Sequence, residues 1–312
     1  MKTGIAVQNG RGRNPPSSED RHFWTDLPGE SAICGVFDGH SGLGTVNITI
    51  QQFPEMIRRT IEPYENGDSA ELTKQIKTAF LNHDAYIKSQ GNLRYRDSGT
   101  TATIVYIGKK NVIFAYLGDS PACIIDPDTG AVIATVGRHD PASPGERKRI
   151  EQAGGFVSED ADDVPRVGGE LAVSRAFGDF KYKSPQALVS GEPDVVIVPR
   201  PAKGILAVFS DGLLENEADP LNLKTTEAVA KAIQAAVKET GGDYAKAASI
   251  VVSRHIAESG TLADYQGDDL TLILADIGKA PVGGGTTRRA FRGRRGGIKT
   301  GKAKRLLKTF TI

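Results

Sequence analysis

Acidic residues recur at the ends of apolar segments in this sequence, and each lies beside a glycine. The four segment ends are ICGVFDGHSG with Asp38, FAYLGDSPA with Asp119, LAVFSDGLLE with Asp211, and QGDDLTLIL with Asp268 and Asp269. A single Asp-Gly pair after an apolar run is an ordinary turn signal. Four such ends form a pattern, because the strands of one sandwich can bring their ends to a shared edge.

Carboxylates gathered at one edge repel each other, and each raises the pKa of its neighbours unless a cation neutralises them. Oxygen ligands favour hard ions such as Mg²⁺ or Mn²⁺ over Zn²⁺. Two such ions, about 3.5–4 Å apart, lower the pKa of a bridging water and hold a phosphoryl oxygen, which is chemistry that hydrolyses phosphate esters. The alternative interpretation is a set of separate turns with no shared ligand.

Other catalytic patterns are absent from the sequence. There is neither a GxSxG nucleophile elbow nor a GxxxxGK[ST] phosphate loop. The two cysteines, Cys34 and Cys123, lie within apolar runs, which predicts buried thiols and a reducing compartment. With five histidines and these cysteines, no zinc pattern is present.

The elements that must position the carboxylates are predicted from periodicity. The 312 residues are 39% hydrophobic and 25% charged, a globular composition without an apolar run long enough to span a bilayer and without a signal-peptide core at the start. Short runs rich in Val and Ile predict strands. A 3.6-residue period from Val46, a cap at Asp68, the start Ser143-Pro144, and two late segments near 225–238 and 243–259 predict helices. This mixture predicts an α/β or α+β layered fold, with helices packed on sheets.

The charge is unevenly distributed along the chain. Residues 279–312 contain 11 Lys or Arg and no Asp or Glu, whereas residues 1–278 contain 28 basic and 38 acidic residues and carry a net charge of −10. The last segment is also rich in glycine, which predicts a disordered tail. We therefore divide the chain into a catalytic domain, 1–278, and a basic Gly-rich tail, 279–312.

The order of motifs resembles the metal-dependent protein phosphatases, the type 2C Ser/Thr (PPM) family. The resemblance runs from about residue 4 to 276 and rests on ED, VFDGHSG, SGTTA, LGDS, LAVSRAFGDF, EPDV, SDGLLE and GDDLTL in this order. It implies an α+β fold in which a central antiparallel β-sandwich is flanked on both sides by pairs of α-helices, a four-layer αββα arrangement. It also implies two Mg²⁺ or Mn²⁺ ions at the sandwich edge, with a weaker third ion in some members.

The resemblance implies a role for each matching residue. The implied direct metal ligands are the carboxylates of Asp38, Asp211 and Asp268 and the backbone carbonyl of Gly39. Glu19 and Asp20 match the acidic pair that acts on metal-bound water, Asp119 matches the residue associated with the third ion, and His40 matches the proposed general acid. An imidazole suits that task because it titrates near neutrality.

The family also uses an arginine upstream of the acidic pair to bind the substrate phosphate, which suits bidentate guanidinium geometry. In GRGRNPPSSED the first choice is Arg13 and the second is Arg11, although neither has the usual spacing. A solvated surface arginine is the alternative. The resemblance further implies that the SGTT and SRAFGD motifs support the cleft, with Arg175 as a structural partner.

Two residues depart from the family pattern. Pro121 follows Gly-Asp-Ser where Arg is usual, and because proline lacks a backbone donor, local support of the cleft is expected to differ. Asp269 follows Asp268 where Asn is common, which makes the site more acidic and offers a further metal-contacting group.

The resemblance implies a metal-dependent protein serine/threonine phosphatase that attacks phosphoserine or phosphothreonine with a metal-bridging water or hydroxide. The alternative is a phosphatase-like binding module without turnover, against which the three aspartates at the ligand positions argue. Expected partners are phosphoproteins, and a monomer is expected. The basic tail is compatible with a nuclear-import signal, a nucleic-acid contact, an acidic-membrane contact or a solvated extension, so we expect a cytoplasmic or nuclear protein.

Overall fold

The computed structural model of the chain describes residues 1–10, 18–91, 97–158, 164–214, 225–257 and 267–278. These residues form two five-stranded antiparallel sheets, a small three-stranded sheet and α-helices that cover the large sheets. The candidate ligands Arg11 and Arg13 and the tail 279–312 lie outside the described residues. The predicted domain boundary and the choice between the two arginines therefore stay predictions.

The first large sheet has the strand order β1-β13-β12-β8-β9. Its strands are β1 (Thr3–Gln8), β8 (Ala122–Ile125), β9 (Val132–Thr135), β12 (Ile205–Phe209) and β13 (Leu270–Asp276). The second has the order β11-β7-β6-β3-β2. Its strands are β2 (Arg21–Leu27), β3 (Ser31–Phe37), β6 (Ala102–Ile107), β7 (Asn111–Leu117) and β11 (Asp194–Pro199).

The third sheet is formed by two-residue strands from the VFDGHSG, SGTTA and LAVSRAFGDF motifs. Its order is β10-β5-β4, with β4 (Gly39–His40), β5 (Gly99–Thr100) and β10 (Phe177–Gly178). The helices are α1 (Gly44–Ile61), α2 (Ser69–Ser89), α3 (Pro144–Gln152), α4 (Phe180–Lys183), α5 (Thr226–Glu239) and α6 (Tyr244–Ile256).

Three apolar clusters separate four layers. One lies between the two large sheets and includes Cys34, Phe114 and Val208. A second packs α1 and α2 on the outer face of the second sheet, and a third packs α5 and α6 on the first sheet. The four-layer αββα fold expected from the sequence is confirmed, and the two cysteines are buried and unpaired as predicted.

The helices begin where local chemistry favours them. The Asp68 carboxylate accepts the N–H of Ala70 at 3.0 Å at the start of α2, and Thr225 and Asp243 cap α5 and α6 in the same way. Ser143 precedes α3 as predicted, but its hydroxyl donates to the Asp140 carbonyl instead of capping the helix.

Two polar-edged rings pack into or against the core. His83, on α2, is 1% exposed and its ring packs against Phe53 and Phe177. Burial lowers its pKa to about 4, so the ring is neutral at physiological pH. Trp24 lies on the edge strand β2, is partly buried against the cluster between the two large sheets, and donates its indole N–H to exposed Asp26. Within the described ranges, no helix is both long and apolar enough to cross a membrane.

Candidate active site

Asp38 directly follows the buried strand β3, and its backbone is bonded on both sides to the SGTT motif. The Asp38 carbonyl accepts the N–H of Thr101 at 2.8 Å and the hydroxyl of Thr100 at 3.0 Å. Its own N–H donates to the Thr101 hydroxyl at 3.0 Å. The carboxylate is thereby held at the sheet edge by residues about sixty positions away.

Carboxyl groups from three other chain segments lie close to Asp38. Burial raises the pKa of Asp38 well above its usual value, and the nearby carboxylates of Asp20, Asp211 and Asp268 raise it further. Asp211 opens a short 3₁₀ turn after β12, and Asp268 precedes β13. Three of the four strand ends predicted to share an edge, those at Asp38, Asp211 and Asp268, therefore do so.

Glycines permit this close approach. A Cβ on Gly39 would lie 2.6 Å from the carbonyl oxygen of Glu19, and a Cβ on Gly212 would collide with the carbonyl oxygen of Asp269. The Gly212 carbonyl also contacts the buried ring of His255 at 3.2 Å. The turns that carry Asp38 and Asp211 are thus packed directly against the acidic segments opposite them.

The acidic pair Glu19-Asp20 enters the same cluster from the N-terminal segment. Asp20 is 6% exposed, and its Oδ2 accepts the Thr271 hydroxyl at 2.7 Å. Its Oδ1 is buried without a hydrogen-bond partner among the described residues. Burial, opposed by hydroxyl hydrogen bonds and reinforced by Asp269 and Asp268, raises the pKa of Asp20 to about 7.

Asp269 anchors the acidic pair through backbone contacts. Its Oδ1 accepts the N–H of Gly10 at 2.7 Å and its Oδ2 accepts the N–H of Glu19 at 2.8 Å. The additional acidic residue at this position therefore fastens the N-terminal segment beside the cluster. This is a role that its departure from the family pattern did not predict.

His40 is held by a carboxylate that the motif analysis did not single out. Its Nε2 lies 2.8 Å from Oδ2 of Asp179, which is 1% exposed and has a left-handed φ of 51°. Burial lowers the pKa of His40, but Asp179, Asp119 and Glu19 outweigh it, so the pKa is raised overall. The sequence signal was present, since Asp179 closes the SRAFGD motif.

The small sheet brings these two side chains together. In β5, Gly99 pairs with His40 on one side and with Gly178 on the other. A Cβ on Gly99 would collide with both the Asp179 carboxylate and the His40 ring. This agrees with the expectation that the SGTT and SRAFGD motifs support the cleft.

Asp119 lies near His40 but is paired with a cation from another loop. It is 7% exposed, and its carboxylate is 3.6 Å from the Arg138 guanidinium. Burial raises the pKa of Asp119, while Arg138 and His40 oppose that rise. Sequence reasoning missed Arg138, which brings a guanidinium beside the motif in which Pro121 replaces the usual arginine.

Arg175 has the structural role expected of it. Its guanidinium donates to the Glu146 carboxylate at 2.6 and 2.9 Å and to Asp194 at 3.2 Å. Asp194 also accepts from the ring of His139, whose other nitrogen accepts the Gly118 N–H at 3.1 Å. This network connects α3 and β11 to the loop that carries Asp119.

The donor set fits hard divalent cations. No group of three or more His, Cys, Asp or Glu side chains in the described ranges is already arranged around an ion-sized centre. Neighbouring carboxylates nevertheless raise the pKa of Asp38 and of Asp20, the buried Asp20 Oδ1 has no partner there, and the nearby donors are oxygens. Because oxygen donors favour Mg²⁺ or Mn²⁺, Asp38, Asp211, Asp268 and Asp20 would hold such ions.

Comparison with known proteins agrees with this geometry. The chain matches the family described as Protein phosphatase 2C over residues 10–259. It is 33% identical over 206 residues to "Probable protein phosphatase 1N" of Homo sapiens, covering 62% of this chain and 46% of that protein. It is 31% identical over 218 residues to "Protein phosphatase 1L" of Bos taurus, covering 67% and 59%. The chain thus spans about half the length of these curated relatives.

Solved structures share the fold. A phosphatase from a pathogenic strain of Toxoplasma gondii superposes with a TM-score of 0.70 at 24% identity, covering 87% of this chain and 91% of that one. "Serine-threonine phosphatase 2C from Toxoplasma gondii" gives a TM-score of 0.66 at 21% identity, covering 88% and 94%. The chain belongs to the protein phosphatase 2C family.

Proposed function

We propose that the protein is a metal-dependent protein serine/threonine phosphatase that hydrolyses phosphoserine and phosphothreonine at a dinuclear Mg²⁺ or Mn²⁺ centre. The observation that carries the proposal is the convergence of Asp38, Asp20, Asp211 and Asp268 beside His40. Membership of the protein phosphatase 2C family supports it further.

The acidic residues would bind the divalent metal ions. Asp38, Asp211 and Asp268 supply carboxylates, and the backbone of Gly39 lies beside them. When bound, two hard divalent ions would neutralise these carboxylates, acidify a water molecule and stabilise charge on the phosphoryl oxygens. Asp20 and Glu19 orient the attacking water from the N-terminal side, with Asp269 holding the Glu19 backbone in place.

His40 protonates the leaving serine or threonine oxygen. Because its Nε2 is engaged by Asp179, Nδ1 is the ring nitrogen that gives up the proton. Water adds to phosphorus and gives one proton to the Asp20 carboxylate, whose pKa of about 7 suits it as an acceptor. The bond from phosphorus to the side-chain oxygen breaks, and the proton from Nδ1 completes the alcohol. Exchange with solvent then removes the proton from Asp20 and restores the one on His40. Asp179 raises the pKa of His40 against the lowering effect of burial, which favours the protonated ring that this step uses.

The proposal is tested by hydrolysis of a phosphothreonine peptide with and without Mn²⁺, using Asp38→Ala beside the unmodified chain. We expect turnover to need Mn²⁺ and to fall by at least about 100-fold in Asp38→Ala, because the cluster loses a central ligand. The matched control is Asp128→Ala, which removes an exposed carboxylate paired with Lys203. Turnover without metal, or equal turnover in Asp38→Ala, would contradict the proposal.

The same experiment separates the enzyme from a binding module. Calorimetric binding of Mn²⁺ without turnover of any phosphopeptide would favour a phosphatase-like protein that holds partners. Turnover that follows Mn²⁺ occupancy excludes that alternative.

A further inference from the structure

A cavity of about 630 Å³, lined by both polar and apolar groups, lies next to the turn that follows His40. It is bounded by residues 41–44 of that turn, by α1 on one side and by α2 on the other. Its volume is within the range of about 300–1,000 Å³ that is usual for ligand sites. None of the residues assigned to metal binding or proton transfer lines it.

The cavity adjoins the candidate active site through its wall. Gly42 lines the cavity, and its N–H donates to the Glu19 carboxylate at 2.7 Å. Ser41 and Gly42 have left-handed φ values of 56° and 113°, which turn the chain from β4 into α1. A substrate whose phosphate reached the acidic cluster would therefore have neighbouring residues close to this cavity.

The chemistry of the lining differs from that of the cluster. The ten described residues that line the cavity carry no charged side chain. Gln51, Gln52 and Gln90 present amide groups, and the Tyr86 hydroxyl accepts from Gln52 at 2.9 Å. Amides both donate and accept hydrogen bonds, as a peptide backbone requires, while Ile48 and the Tyr86 ring add apolar surface.

We propose that this cavity binds the polypeptide next to the phosphorylated residue and selects uncharged flanking residues. The proposal rests on the phosphatase function proposed above and adds a substrate class to it. A charged flanking side chain would lose water in the cavity without meeting an opposite charge on the described lining, and that loss is unfavourable. A neutral flank can pair its backbone with the glutamine amides.

The test compares phosphothreonine peptides with neutral, acidic or basic flanking residues, placed on the N-terminal or the C-terminal side. Each kcat/KM is divided by the turnover of para-nitrophenyl phosphate by the same protein, because that substrate has no flank. For the unmodified chain we expect neutral flanks to be preferred over charged ones by about three- to tenfold.

Charge-introducing variants assign this preference to the cavity. Gln51→Lys should shift the preference toward acidic flanks, and Gln51→Glu should shift it toward basic flanks. Gln90→Lys introduces the same charge at the C-terminal end of α2, and it replaces Gln51→Lys in the test if the Gln51 variants fail to fold. The control is Gln152→Lys, since Gln152 is an exposed glutamine at the end of α3 and outside the cavity. This variant should rank the neutral, acidic and basic peptides in the same order as the unmodified chain.

The outcomes separate this proposal from the function on which it rests. Metal-dependent turnover with no dependence on the flank, or the same order of peptides in Gln51→Lys and Gln51→Glu, overturns the cavity proposal alone. The absence of metal-dependent turnover of both peptide and para-nitrophenyl phosphate overturns both proposals.

Discussion

The side chains of the candidate site are held by partners that come from distant parts of the chain. His40 is bonded to Asp179, which is 139 positions away, and Asp119 is paired with Arg138. Asp20 is bonded to Thr271, which is 251 positions away. The pKa of each of these three groups is shifted by burial and by neighbouring side chains, so single substitutions should have separable effects.

Asp179→Asn should alter the pH dependence of catalysis. The Asp179 carboxylate raises the pKa of His40, so a neutral amide lowers it. A general acid works in its protonated form and activity is lost as the pH rises through its pKa. The alkaline limb of the kcat/KM profile should therefore move to lower pH, as measured with a phosphothreonine peptide at saturating Mn²⁺.

His40→Ala provides the control for that profile. Loss of the general acid should slow hydrolysis of the phosphothreonine peptide by about 100-fold or more. Hydrolysis of para-nitrophenyl phosphate should slow less, because its leaving group departs without a proton. An alkaline limb that stays in place in Asp179→Asn would show that Asp179 does not act through His40.

Arg138→Ala should change how many Mn²⁺ ions the protein binds. Arg138 lies 3.6 Å from buried Asp119 and partly neutralises it. Without the guanidinium, the Asp119 carboxylate has no paired positive charge from Arg138 and can bind a metal ion instead. Calorimetry should therefore detect an additional weakly bound Mn²⁺. Arg138→Ala combined with Asp119→Asn should lose that extra ion, whereas an unchanged ion count in Arg138→Ala alone would refute the expectation.

The elements that position the site are short and depend on each other. The strands β4, β5 and β10 contain two residues each, and their pairing brings three sequence motifs together. Such short strands are stable only because the flanking sandwich and helices hold their ends. Close approach at the central strand is possible because Gly99 has no side chain.

Gly99→Ala should therefore disrupt the site from within the scaffold. The new methyl group would collide with His40 and Asp179, so the pair must separate. We expect a loss of about 1–3 kcal/mol in the free energy of unfolding from overpacking, measured by urea denaturation. Peptide turnover should fall by about 100-fold, because a displacement of about 1 Å can have that effect.

Gly145→Ala is the matched control for that substitution. Gly145 lies in α3, and a Cβ there meets nothing within 4 Å. The control should keep its activity and its stability. A Gly99→Ala variant that behaved in the same way would show that the small sheet tolerates a side chain at its centre.

The whole molecule combines an acidic sandwich with a basic segment outside the described residues. The site uses both large sheets, since Asp38 follows a strand of one and Asp211 and Asp268 flank strands of the other. Residues 279–312 carry 11 basic residues and no acidic residue.

Removal of residues 279–312 should leave catalysis and folding intact. We expect the Tm to change by less than about 2 °C and Mn²⁺-dependent turnover to be unchanged, because the three apolar clusters lie within residues 1–278. A large fall in Tm would place the tail within the folded domain. Imaging a tagged chain with and without the segment tests localisation, and an unchanged distribution would exclude a targeting role.

The sequence by itself determined which residue types could do chemistry and the elements that carry them. Apolar periodicity predicted a layered fold with helices packed on sheets, and strand-end aspartates predicted the candidates Asp38, Asp211 and Asp268, because burial and period are local properties. The order of motifs, through the family resemblance, implied the αββα arrangement. Tertiary structure alone decided the partners. The bonds from Asp179 to His40, Arg138 to Asp119 and Asp269 to Glu19 join segments that are separated by between 19 and 250 positions. Local sequence patterns do not predict these pairs, because the paired residues come together only when the sheets pack and their edges meet.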